Sequence, residues 1–96
     1  MSNDEKEIFK NDYIVKLTEN LAMLRAKAGV TQEEVADVIG IARQTYSAIE
    51  CGRKPMSWNT FMSLILFFKE NTQTKEVIKL LNIYTGELEN YIKIAN

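Results

Sequence analysis

Apolar residues recur along the first third of the chain at three- and four-residue intervals: Phe9, Tyr13, Leu17, Leu21, Leu24 and Ala28. Such spacing gathers them on one face of an α-helix. It predicts a first helix that is firm from Asp12 to Ala28, with Asn11-Asp12 as a point where it can be interrupted upstream. Gly29 is suited to the left-handed residue beyond the helix end, with Val30 folding back in an apolar contact of Schellman type. Thr31-Gln32-Glu33-Glu34 has the form of a capping box, in which the Thr31 hydroxyl accepts from the Glu34 amide and the Glu34 carboxylate reaches back. A short second helix follows, Gln32 to Ile39, with Val35, Val38 and Ile39 apolar and Ala36 small, and Gly40 stops it.

Ile41-Ala42 leads into a third helix, Arg43 to Cys51, buried through Tyr46 and Ile49 and ended by Gly52. Arg53-Lys54-Pro55-Met56 is a loop, because a proline disfavours helical backbone at the residue before it. Ser57 can cap a fourth helix from Trp58 to about Glu70, in which Phe61, Met62, Leu64, Ile65, Leu66, Phe67 and Phe68 leave almost no polar face. A helix apolar all round needs cover on more than one side. After the polar break Asn71-Thr72-Gln73-Thr74, a fifth helix is expected over Lys75 to Asn82 and a sixth over Gly86 to Ile94. The fold class is therefore all-α: a compact domain of five to six helices. Residues 1–96 form one domain, with a core over 12–70 and C-terminal helices over 71–96 available for dimerisation.

Composition narrows the chemistry. The chain has 96 residues, no His and one Cys. Cys51 cannot form an internal disulfide, and no transition-metal ligand set is worth proposing. Ser-His, Cys-His and zinc-water mechanisms are excluded together. Glu33 and Glu34 are sequence neighbours on a helix, so they diverge rather than face one substrate. An enzyme is not expected, nor any cofactor. The polar stretch Met1 to Glu7 holds no apolar signal core, which points to a cytoplasmic protein. The apolar run Leu64 to Phe68 is far short of the ~20 residues of a membrane span.

The net charge of −1 tells mildly against a nucleic-acid partner, since non-specific affinity for DNA comes from Lys and Arg on phosphates. Its distribution tells the other way. Residues 1–20 hold five acids against three bases, whereas Leu21 to Met56 carry Arg25, Lys27, Arg43, Arg53 and Lys54 against Glu33, Glu34, Asp37 and Glu50.

The informative unit is helix, glycine turn, helix. Ala36 supplies a small side chain where two short helices cross, and Gly40 the backbone freedom for the turn. Ile41, Tyr46 and Ile49 plug the next helix onto the core, leaving Arg43, Gln44, Ser47 and Ala48 outward with Thr45 near the edge. Leu24-Arg25, Gly29 through Ala36, Gly40, Arg43 through Ser47, Ile49-Glu50 and Gly52-Arg53-Lys54 together resemble the phage-repressor/Cro (Xre-type) helix-turn-helix family, over roughly Leu17 to Phe68. The resemblance implies a lambda-repressor-like fold. It also implies a sequence-specific DNA-binding transcriptional regulator, a repressor acting as a homodimer on a palindromic operator in double-stranded DNA.

On that resemblance Gln32 touches a DNA phosphate and the first residues of the third helix enter the major groove. Arg43 can then pair with guanine and Gln44 with adenine. Thr45 and Ser47 reach phosphate or a base through water, Ala48 meets a thymine methyl or nothing, and Arg53 and Lys54 meet the DNA backbone. Arg25 pairs with Glu50 as a structural ion pair. The chain departs from the family pattern where Ala42 replaces a Ser or Thr cap, where Ala48 replaces a polar residue and where Cys51 replaces Asn. The alternative is a helix-turn-helix module that grips another protein, as an antitoxin or anti-repressor does. The apolar surplus on the fourth helix and beyond suggests a dimer interface.

Overall fold

The computed structural model describes residues 1–95 and contains helices and turns alone among them. Six helices follow in order: α1 (Asn3–Ala28), α2 (Gln32–Ile39), α3 (Arg43–Glu50), α4 (Trp58–Glu70), α5 (Val77–Leu80) and α6 (Gly86–Ile92). The radius of gyration, 13.1 Å, is that of a compact chain of this length, about 13 Å.

The first helix starts much earlier than its apolar stripe alone indicates. Ser2 caps it: the Glu5 amide donates to the Ser2 hydroxyl at 3.2 Å, and the Ser2 amide donates to the Glu5 carboxylate at 3.1 Å. Asn11 and Asp12 do not interrupt the helix, because both face outward while Phe9 anchors the turn before them. Its ring lies 5.0 Å from that of Tyr13 and 4.8 Å from that of Tyr91 on α6.

The core is built where four helices meet: α1 packs on α3 and α4, and α2 packs on α3 and α4. Leu17, Leu21 and Leu24 of α1, Val35 of α2, Tyr46 of α3, and Phe61, Leu64 and Phe68 of α4 are fully buried there. The C-terminal segment joins the same cluster, sending in Ile78, Ile83, Tyr84 and Leu88. Its end is tied to α1 by the Tyr13 hydroxyl, which donates to the Glu87 carboxylate at 2.9 Å and hydrogen-bonds the Thr85 hydroxyl. The nearly all-apolar α4 is thus covered on the sides carrying Phe61, Leu64, Ile65 and Phe68, while Leu66 is left outside.

Three C-terminal boundaries differ from the sequence expectation. Lys75 and Glu76 lie in a turn rather than in α5, because the buried Thr74 hydroxyl donates to the Phe68 carbonyl at 2.7 Å and folds residues 71–74 back on α4. Downstream, Asn82 takes φ 58°, a left-handed conformation, and the amides of Ile83 and Tyr84 both close on the Ile78 carbonyl at 2.9 Å. Asn tolerates that conformation better than other non-glycine residues. The last helix is capped by Thr85, whose hydroxyl accepts from the Leu88 amide at 3.1 Å, and it ends at Ile92 rather than Ile94.

Candidate nucleic-acid interface

The geometry of this region begins at Gly40. Its φ of 80° sends the chain back across α2, and the Gly40 and Ile41 amides both donate to the Ala36 carbonyl, at 2.9 and 3.0 Å. Ala36 is buried at the crossing, where a longer side chain would hold α2 and α3 apart. On α3, Tyr46 and Ile49 point into the core. Arg43 and Gln44 are exposed on the first turn, with Thr45, Ser47 and Ala48 half-buried around them. Arg53 and Lys54 lie exposed beyond the far end of α3, their amides closing on the Ala48 carbonyl at 2.8 and 3.1 Å. At 1.5 Å per residue this separates the two basic groups by ~12 Å along α3.

At the other end of α3, a cleft of about 510 Å³ brings Arg43 beside Arg25, Thr31, Gln32 and Glu33. The structure therefore gathers Gln32 and Arg43 at the N-termini of α2 and α3. The Thr31 hydroxyl accepts from the Glu34 amide at 3.1 Å, and the hydrogen bonds that Thr31 exchanges with Glu34 hold that carboxyl below the usual range. The early amides of a helix have no acceptor within it and favour an anion.

Beneath this surface lies a polar hub. Arg25 donates twice to Glu50, from Nε to Oε1 at 2.8 Å and from a terminal nitrogen to Oε2 at 3.1 Å. A third Arg25 donor reaches the Val30 carbonyl at 3.1 Å. The Tyr46 hydroxyl donates to Glu50 Oε1 at 2.9 Å, and the Gln32 amide donates to Oε2 at 2.8 Å. One carboxylate thus joins α1, α2 and α3. Burial pushes the Glu50 carboxyl up, but the bonds from Arg25, Gln32 and Tyr46 and the Arg25 charge outweigh it and hold it below the usual range. Burial, followed by the charge and hydrogen bond of Glu50, pushes the Tyr46 phenol upward.

The roles of Tyr46 and Gln32 in this hub are not visible from the helix-turn-helix spacing. Tyr46 is read from sequence as core alone, yet its position four residues before Glu50 on one helix face is a usable signal. Gln32 is expected on a phosphate, and its side-chain amide is turned inward to Glu50.

Residues 16–65 match a family model described as a helix-turn-helix domain. The chain belongs to that helix-turn-helix family. The matched stretch runs from within α1 to within α4, so the helix-turn-helix domain holds the Gly40 turn, the hub and all of α3, whereas α5 and α6 lie beyond it. Comparison with curated proteins and with solved structures gives no match. Among the described residues no group of His, Cys, Asp and Glu side chains is placed to hold a metal ion, and no helix is long and apolar enough to cross a membrane.

One weakness of this helix-turn-helix is local. Ala42 occupies the N-cap of α3 and makes no side-chain cap hydrogen bond. Its backbone already has the extended conformation of a cap, φ −67° and ψ 145°. Ala42→Ser is therefore expected to stabilise the protein by ~1 kcal/mol, measured as a higher midpoint in urea. An unchanged or lower midpoint would show that the added hydroxyl fails to reach the free amides.

Proposed function

We propose that the chain is a sequence-specific DNA-binding transcriptional regulator of phage-repressor/Cro (Xre) type, a cytoplasmic repressor that acts as a homodimer on a palindromic operator. The observation that carries this reading is the presentation of Arg43 and Gln44. Both stand exposed on the first turn of the second helix of a helix-turn-helix, while the rest of that helix is fixed to the core through Tyr46, Ile49 and Glu50. A recognition helix meets base edges with its N-terminal residues. Arg43 there offers a bidentate donor to guanine O6 and N7, and Gln44 a donor-acceptor pair to adenine. Thr45 and Ser47 flank them at the edge of the groove, Ala48 offers a methyl group to thymine, and Arg53 and Lys54 fit the flanking phosphates. The Gln32 side chain serves the hub, so the phosphate contact at α2 falls to its backbone amides and to Gln32 only after it turns outward.

Selection of bound sites from random duplex DNA tests the proposal. Arg43→Ala is expected to leave the helical circular dichroism unchanged and to relax preference at one base position by ~1–3 kcal/mol. An unchanged selected sequence would remove Arg43 from base recognition.

A second reading is a helix-turn-helix module that binds protein, in the manner of an antitoxin or anti-repressor. It is favoured by Glu33 lining the same cleft as Arg43, and by the net charge of −1. Salt separates the two readings. DNA affinity falls steeply between 50 and ~200 mM salt as counterions compete, whereas an apolar protein contact hardly changes.

A further inference from the structure

The two ends of α2 are joined to α3 by different means. At the C-terminal end the Gly40 turn and the Ala36 crossing hold the helices together, with the Gly40 and Ile41 amides on the Ala36 carbonyl. At the N-terminal end the join is a single side chain: Gln32 Nε2 donates to Oε2 of Glu50, the last residue of α3, at 2.8 Å. Among the described residues no other side chain of α2 hydrogen-bonds to α3, since Glu34 turns back to Thr31.

We propose that Gln32 is a positioning residue for base recognition, which stays on Glu50 when DNA is bound and holds α3 in register with the phosphate-facing end of α2. The proposal rests on the DNA-binding reading above and gives Gln32 a role in it other than phosphate contact. The hub offers the amide the stronger acceptor. The Glu50 side chain is 7% exposed, and a charged acceptor sheltered from water holds a donor more firmly than one in salt solution. A surface phosphate is hydrated and screened by counterions. Turning Gln32 outward would also take from Oε2 one of its two donors, the other being Arg25, where water has little access to replace it. The backbone amides of Gln32 and Glu33 precede the first acceptor within α2, so they can meet a phosphate while the side chain stays where it is.

The lever is long enough to matter. Gln32 stands ~12 Å from Gly40 along α2, so a slip of ~1 Å at that end turns α2 against α3 by ~5°. Phosphate contacts seat a protein on the duplex, and base contacts read it. Here the first fall to the N-terminus of α2 and the second to Arg43 and Gln44 on α3. The bond from Gln32 to Glu50 therefore sets the spacing between the two kinds of contact, and a binding constellation works only when held to within ~0.5 Å.

Site selection from random duplex DNA with wild type, Gln32→Met and Gln32→Lys tests the assignment. Met has nearly the same length and no donor, whereas Lys keeps a donor within reach of Glu50. Gln32→Met is expected to keep its circular dichroism and to lose ~10-fold or more of its discrimination at the bases that Arg43 and Gln44 read. Gln32→Lys is expected to keep the wild-type sequence. On the wild-type site, replacing each phosphate in turn by a neutral methylphosphonate should weaken wild type and Gln32→Met by the same factor. The opposite result is a Gln32→Met that selects the wild-type sequence, binds every site more weakly and ignores one methylphosphonate to which wild type responds. Gln32 is then a phosphate ligand, and this proposal falls while the DNA-binding reading stands. Should Gln32→Met fail to fold, Gln32→Lys decides: methylphosphonate losses equal to wild type keep this position on Glu50, and a larger loss at one phosphate turns it to DNA and overturns the proposal. A wild type that enriches no sequence overturns the DNA-binding reading itself, and the proposal with it.

Discussion

A chain ended at Asn71 is expected to lose its cooperative fold, even though it retains all of the helix-turn-helix match. The cut removes Ile78, Ile83 and Leu88, each fully buried. At ~1.5–3 kcal/mol per side chain this withdraws ~5–9 kcal/mol of burial, comparable with the entire ~5–15 kcal/mol by which small domains are stable. It also deprives Tyr13 of Thr85 and Glu87. The measurement is thermal melting by circular dichroism. A sharp transition at the wild-type midpoint would mean that α5 and α6 are ornaments on a self-sufficient core.

Glu50→Ala is expected to cost ~3–5 kcal/mol, the range for removing one partner of a buried ion pair. The Glu50 side chain is 7% exposed and that of Arg25 23%. Removing the carboxylate leaves the Arg25 guanidinium, the Tyr46 hydroxyl and the Gln32 amide without their common acceptor. In a domain of this size each kcal/mol moves the melting midpoint by ~4–8 °C, so the loss is easily read. Acid tests the same group without a mutation. A carboxyl held below its unfolded value contributes stability that is complete above the unfolded pKa and disappears as pH falls through the lowered, folded value. Wild-type stability should therefore decline as pH drops below the ordinary carboxyl value of 4.5, and Glu50→Gln should decline less over that interval. Parallel declines in the two proteins would separate Glu50 from the acid response.

Much of this fold was legible because local signals agreed with one another. The caps at Thr31 and Ser57 and the left-handed turns at Gly29 and Gly40 stand where the apolar period breaks. The start of α1 was hidden because periodicity weakens there, although Ser2 and Glu5 repeat the Thr31 and Glu34 pattern. The short α5 was hidden for a different reason: the Thr74 hydroxyl and the Asn82 backbone respond to tertiary packing, which no local pattern encodes. At the candidate site, the exposure of Arg43 and Gln44 follows from the helical positions of Tyr46 and Ile49. The inward turn of Gln32 does not, since it depends on where Glu50 stands once three helices have met.

The hub has a consequence for how such a protein can change. The side chains that fix α3 to the core are ones it hides or half-hides, Tyr46, Ile49 and Glu50, whereas Arg43 and Gln44 make no side-chain hydrogen bond among the described residues. The letters that would spell a target are thus interchangeable on a fixed mount. Variants at those two positions can be exchanged wholesale in a library, with retargeting limited by what the new side chains meet outside rather than by whether the chain still folds.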